Sequence, residues 1–157
     1  MHLTYMSVLL IWLLRGVLGA PSIKDSPSYW ASKFFPKTRS VYFLSKRASG
    51  LSIHLKNELC KKIGGYLVEL NSRDEQYFVR RFLRAHSKYF AFTGANDVLL
   101  EGTFVYYNSK KLVPPLKWLR GYPKNSQNDK DCVLIGWRGL IESRCKHVGP
   151  YMCEIRA

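Results

Sequence analysis

CKKIGGYLVEL (residues 60–70) converts a helix into a strand within a few residues. Upstream, Leu51, Leu55 and Leu59 recur at the spacing of one helical face, which predicts a helix over residues 51–63. Gly64-Gly65 stops it, because glycine is a poor helix former and lets the chain turn. The aromatic and branched run 66–70 then reads as a strand. Downstream, Ser72-Arg73-Asp74-Glu75 is a capping box, in which the serine hydroxyl accepts a first-turn N–H and the glutamate reaches back. The helix it opens carries Phe78, Val79, Phe82 and Leu83 on one face.

Further out, residues 41–44 (VYFL) read as a short first strand. Residues 90–93, 103–107, 132–137 and 151–155 are strand-like runs separated by long loops rich in Gly, Pro, Asn and Lys. Two helices followed by a loop-rich sheet are an α+β plan, and 157 residues favour one domain. Residues 21–38 mix Ser, Pro, Lys and aromatics without a period and read as a basic, aromatic arm. Tyr29-Trp30 and Phe34-Phe35 within it are expected to pack against the domain, since exposed aromatics at that density are unusual.

Residues 8–14 are an unbroken apolar run followed by small residues up to Ala20. The run is too short to span a bilayer, which takes about 20 apolar residues, and fits the core of a signal peptide over residues 1–20. An N-terminal core helix or anchor is the alternative. On the first reading the protein is secreted and extracellular, with the folded domain at 39–157. All four cysteines (Cys60, Cys132, Cys145, Cys153) lie beyond that segment; their even number predicts two disulfides, with three pairings open, and no spacing is of the CxxC type. The formal charge of +14, or +13 without Arg15, favours polyanionic partners. For a secreted protein these are sulfated glycans or microbial surface polymers rather than nucleic acid.

The order of motifs resembles the C-type lectin-like domains, in their short, four-cysteine form. The helix-borne Cys60 and GGYLVEL, then the Ser72 helix, are similar to the family's opening. FTGANDVLLEGTF (residues 92–104) stands where the family has its core strand and acidic loop. WLRGYPKNSQNDKDCVLI (residues 118–135) is similar to the long-loop motif, and SRCKHVGPYMCEI (residues 143–155) to the closing hairpin. The likeness covers about residues 40–156. It implies a C-type lectin-like fold, two helices with a small antiparallel sheet and a long disulfide-closed loop region. It also implies the pairs Cys60–Cys153 and Cys132–Cys145, and a cis Tyr122–Pro123 bond. An additional N-terminal cysteine pair of longer members is absent, Val41 standing at one of its positions.

Sugar-binding members of that family use calcium, a hard cation that takes six to eight oxygen ligands. At the matching positions this chain has Tyr122-Pro123-Lys124, then Lys130, then Leu140-Ile141-Glu142. Of the implied ligands only Glu142 keeps a carboxylate, so the resemblance predicts that the sugar-linked calcium site is lost. Asp97 and Glu101 match two ligands of the auxiliary site, with Asn125 in a third position and Lys130 in the fourth. That set leaves at most weak calcium binding, and no other cofactor is implied.

The same loop is basic (Lys110, Lys111, Lys117, Arg120, Lys124, Lys130) and interleaved with Tyr106, Tyr107, Trp118 and Tyr122. Cations donate to sulfate or phosphate, and aromatic rings stack on sugars or cations. Arg120, Tyr122, Lys124, Lys130 and Glu142 are therefore the candidate ligand-binding residues, for anionic glycans without calcium; lysines that only maintain solubility are the alternative. A second stripe, Arg80, Arg84 and Lys88 flanked by Arg81, reads as a solvated helix face. Catalysis is not expected. His2, His54, His86 and His147 share no triad or metal-ligand spacing, and the close acid pairs Asp97/Glu101 and Asp129/Asp131 carry no sign of a protonated partner. A protein-binding domain of the same fold and a matrix-associated structural protein are the competing readings.

Overall fold

The computed structural model describes residues 29–46, 50–124 and 129–157; segment 1–20 and Asn125 lie outside the described residues. In chain order the elements are β1 Tyr29–Phe35, β2 Ser40–Ser45, α1 Ile53–Lys62, β3 Tyr66–Leu67, α2 Arg73–Ala85, β4 Phe90–Asn96, β5 Val105–Tyr106, β6 Cys132–Gly136, β7 Gly139–Ser143 and β8 Met152–Arg156. They form two four-stranded antiparallel sheets, ordered β1-β2-β8-β3 and β5-β4-β6-β7. Val68 joins them: its N–H donates to the Met152 carbonyl at 2.9 Å, and its own carbonyl accepts from the Gly94 N–H at 2.9 Å.

The Gly64-Gly65 stop has two causes. Gly64 has φ +82°, a left-handed conformation that disfavours side chains, and its N–H closes on the Lys61 carbonyl at 2.9 Å. A Cβ on Gly65 would collide with the Glu154 carbonyl oxygen of β8. The pair thus lets α1 end directly against the sheet. The two disulfides, Cys60–Cys153 and Cys132–Cys145, are the implied ones; the first fastens α1 to β8 and the second closes the β6–β7 region.

Helix α2 follows its sequence. Ser72 accepts the Glu75 N–H at 3.1 Å, and Val79, Phe82 and Leu83 are buried. Burial of such side chains stabilises by about 2 kcal/mol each. Glu75 reaches back one residue further than a capping box requires, to the Asn71 N–H at 2.7 Å, while its other oxygen accepts the Tyr42 hydroxyl at 2.6 Å.

Three expectations need correction. Residues 29–35, read as part of an arm, are strand β1, in register with β2 from Phe35 opposite Ser40 to Tyr29 opposite Ser45. Two of their aromatics pack: Tyr29 meets Phe43 edge-on at 5.7 Å and Phe35 stacks on Phe78 at 4.5 Å, whereas Phe34 is exposed. Backbone pairing needs no side-chain alternation, which is why no period announced the strand. Strand β7 was likewise unmarked. Helix α1 turns a different face inward. Leu55 is 47% exposed, whereas Ile53, Lys56, Asn57 and Cys60 are buried. Asn57 Oδ1 accepts the Leu67 N–H at 3.0 Å, and Lys56 Nζ donates to the carbonyls of Leu51 (2.6 Å) and Cys145 (2.7 Å).

Polar groups also sit beneath the first sheet. Glu154 accepts the Ser40 hydroxyl at 2.7 Å and the Glu69 N–H at 3.3 Å, and burial pushes its carboxyl up to about 7. Glu69 in turn accepts the Ser109 N–H at 2.9 Å, anchoring the segment after β5.

Candidate functional site

The long loop leaves the core at Trp118, which packs on Phe104 with ring centroids 5.0 Å apart. Gln76 of α2 holds the chain just before it, accepting the Lys117 N–H (2.9 Å) and donating to the Lys117 carbonyl (2.7 Å). Arg120 is exposed on a turn that closes from the Tyr122 N–H to the Leu119 carbonyl at 2.9 Å. The Tyr122–Pro123 bond is cis.

From there the chain meets β7. The Lys124 backbone N–H donates to Glu142 Oε2 at 2.6 Å, and Glu142 is buried on β7 opposite Val133 of β6. The Lys124 ammonium lies 5.3 Å from the centre of the Tyr122 ring. Tyr122, Lys124 and Glu142 therefore come together as one unit. Lys130 is half-buried, beside Asp131, whose carbonyl accepts the Asp97 N–H at 3.0 Å. Arg144 pairs with Asp129 at 2.6 Å across the same region, both side chains exposed.

The aromatic part of the expected face divides. Tyr107 is half-exposed, with the Lys110 ammonium 4.3 Å from its ring centre. Tyr106 is 1% exposed and donates its hydroxyl to the Leu70 carbonyl, so it belongs to the core and not to a binding face. Trp118 and Trp137 are half-buried against the main core cluster.

The acidic loop is assembled around Asp97. This side chain is 3% exposed; Oδ2 accepts the Gly102 N–H at 2.9 Å, while Oδ1 is buried without a hydrogen-bond partner among the described residues. Desolvation raises the Asp97 carboxyl above its ordinary range against the pull of the Gly102 amide, and the negative charges of Asp131 and Glu142 add to the rise. Glu101, exposed, is raised first by desolvation and then by Asp97, Asp131 and Glu142. Asp131 is the member that residue-by-residue matching overlooked; its position directly before Cys132, at the start of β6, was the available signal. Among the described residues no three of His, Cys, Asp and Glu converge closely enough to hold a metal ion.

The histidines are scattered. His54 Nδ1 lies 2.9 Å from the Tyr107 hydroxyl, His86 packs edge-on to Phe82 at 4.9 Å, and His147 meets Phe90 at 5.8 Å. No helix of the described residues is long and apolar enough to cross a membrane.

This disulfide-closed loop on two small sheets defines a C-type lectin-like recognition domain. The family model described as "Lectin C-type domain" matches residues 49–155, and the chain belongs to that family. Among curated proteins, the CD209 antigen of Symphalangus syndactylus is 32% identical over 133 residues, which make up 83% of this chain and 33% of that protein. The chain thus spans about a third of the length of the curated relatives it matches. Among solved structures, the carbohydrate-recognition domain of a mouse scavenger receptor C-type lectin superimposes with TM-score 0.68 at 21% identity, covering 80% of this chain and 93% of that one. A calcium-independent type II antifreeze protein superimposes with TM-score 0.67 at 14% identity, covering 83% and 95%. Both structures share the fold.

Proposed function

We propose that this domain is a secreted recognition module, not an enzyme, that binds anionic glycans through its long-loop face without calcium. One observation carries the reading. Glu142, the sole carboxylate kept among the sugar-linked ligand positions, is engaged by the Lys124 amide, while the Lys124 ammonium lies 5.3 Å from the centre of the Tyr122 ring. An ammonium supplies no oxygen ligand, and one within about 4 Å of a calcium ion would be repelled by roughly 8 kcal/mol at an effective dielectric near 20. Sulfate or phosphate on a glycan, or on a microbial surface polymer, reverses the sign of the interaction. Arg120 offers a two-pronged donor, and Lys124 and Lys130 offer point charges. That a calcium-independent antifreeze protein has the same fold supports the view that the scaffold stands without the ion.

The test is an array of neutral and sulfated glycans, probed with calcium and with EDTA. Binding confined to sulfated glycans, unchanged by EDTA and weakened about tenfold or more by Lys124→Glu with Lys130→Glu, is the expected outcome. Binding to neutral sugars that EDTA abolishes would sink the reading. A protein ligand is the second reading, favoured by the consecutive exposed side chains Val98 (54%), Leu99 (82%) and Leu100 (63%) at the tip of the acidic loop. Silence across the array, with capture of a protein partner that Leu99→Asp abolishes, would establish it.

A further inference from the structure

The most concentrated positive charge outside the long loop lies along α2. Two open furrows adjoin there and share Tyr77 and Arg81. One runs over Lys33, Lys37 and Phe78 to Asp74; the other runs over Arg80 and Arg84 to Trp137. Positions 74 to 84 of a helix span about 15 Å, so the combined channel has the length of a short oligosaccharide. Its charged side chains are five cations and one acid, and that acid, Asp74, is paired with Lys37 at 2.5 Å.

The cations are held over rings. Lys33 Nζ lies 5.6 Å from the Phe78 centroid, Arg81 Cζ 5.9 Å from that of Tyr77, and Arg84 Cζ 5.6 Å from that of Trp137. Arg80 is fixed beside them, its Nε donating to the Trp137 carbonyl at 2.8 Å. Like charges three and four residues apart destabilise a helix, and so many unneutralised guanidinium groups along one furrow call for an anion. A guanidinium stacked by its face on a ring leaves its edge N–H groups for a tetrahedral anion. Tyr77 remains 59% exposed in the furrow, an apolar surface beside the cations. A furrow along a helix accepts a chain rather than a flat bilayer.

We propose that the α2 furrow is a second polyanion site, which takes a sulfated polysaccharide chain with Lys33, Arg81 and Arg84 as its principal sulfate contacts. It shares no residue with the long-loop face and stands whether or not that face binds glycans.

The test uses the full chain and a heparin octasaccharide. Arg81→Glu with Arg84→Glu is compared with the charge-matched Lys61→Glu and Lys62→Glu on α1, and with Lys124→Glu and Lys130→Glu in the long loop. The α2 variant is expected to bind about tenfold or more weakly with a reduced salt dependence, and the α1 variant no more than about twofold more weakly. Equal losses for the α1 and α2 variants would show diffuse attraction and overturn the proposal. A loss confined to the long-loop variant would overturn it while leaving the previous section intact. Lysine acylation of the unmutated protein reads the site even where a variant fails to fold. Bound octasaccharide should shield Lys33 and leave Lys61 and Lys62 reactive; an unshielded Lys33 contradicts the proposal. Double-stranded DNA that binds the furrow as tightly as the octasaccharide would refute sulfated glycan as the occupant.

Discussion

Both helices begin on a serine whose hydroxyl accepts a first-turn amide, yet α1 buries Lys56, Asn57 and Cys60 with one aliphatic residue, Ile53, where α2 buries Val79, Phe82 and Leu83 with Glu75 and Gln76 near its start. The contrast follows from what each packs against. Helix α2 lays an apolar stripe on the main core cluster, and its buried Glu75 and Gln76 bond to Asn71, Tyr42 and Lys117 near its start. Helix α1 lies where the chain must be fastened: to β3 through Asn57, to β8 through Cys60, and to the Cys145 carbonyl through Lys56. A helix that docks by specific bonds can leave leucines in water.

Removing both Cys60 and Cys153 should break this arrangement most severely. The closed loop spans 93 residues, and loop-closure entropy puts the loss at about 4–5 kcal/mol. Denaturant unfolding of the double alanine variant would measure it; a loss under about 1 kcal/mol would mean α1 is held by other contacts. Phe82→Ala on α2 should cost about 3–5 kcal/mol, against less than about 0.5 for Leu55→Ala on α1. Comparable costs for the two would contradict the register assigned to α1.

Lys56 sharpens the contrast through pH. Burial lowers its ammonium to about 8 from 10.5, although two carbonyls and the Phe92 ring, 3.6 Å away, surround it. Between those values the unfolded chain binds the proton that the folded chain has lost, so stability rises with pH across that window. The rise should approach about 3 kcal/mol when complete and be absent in Lys56→Met. Titrating the unfolding midpoint of both proteins from pH 8 to 9.5 checks it; parallel curves would refute the assignment. Ser72→Ala should cost about 1 kcal/mol, because it removes a single cap; an unchanged denaturation midpoint would contradict that role.

The same contrast explains what could be read in advance. The capping box marked the start of α2, and apolar periodicity picked out its buried Val79, Phe82 and Leu83. It misassigned the inner face of α1, because periodicity has no sign for a lysine that donates to carbonyls from a distant loop. At the site, the resemblance predicted only which residues, Lys124, Lys130 and Glu142, stand at the positions of calcium ligands. It did not show that the Lys124 backbone engages Glu142, that Tyr106 is core, or that Asp131 joins Asp97. The stripe on α2 was visible as charge, but the contribution of Lys33 from β1 and of the Trp137 ring from the β6–β7 turn was not.

Strand β1 has a practical side. The family match begins at residue 49, yet β2 pairs with β8 on one side and β1 on the other, and both strands precede that residue. A chain shortened to the matched segment would keep both disulfides and both helices and still bare the whole length of β8 as an unpaired margin, an invitation to self-association. The unit to express therefore starts at or before Tyr29, so that β2 covers β8 and β1 covers β2.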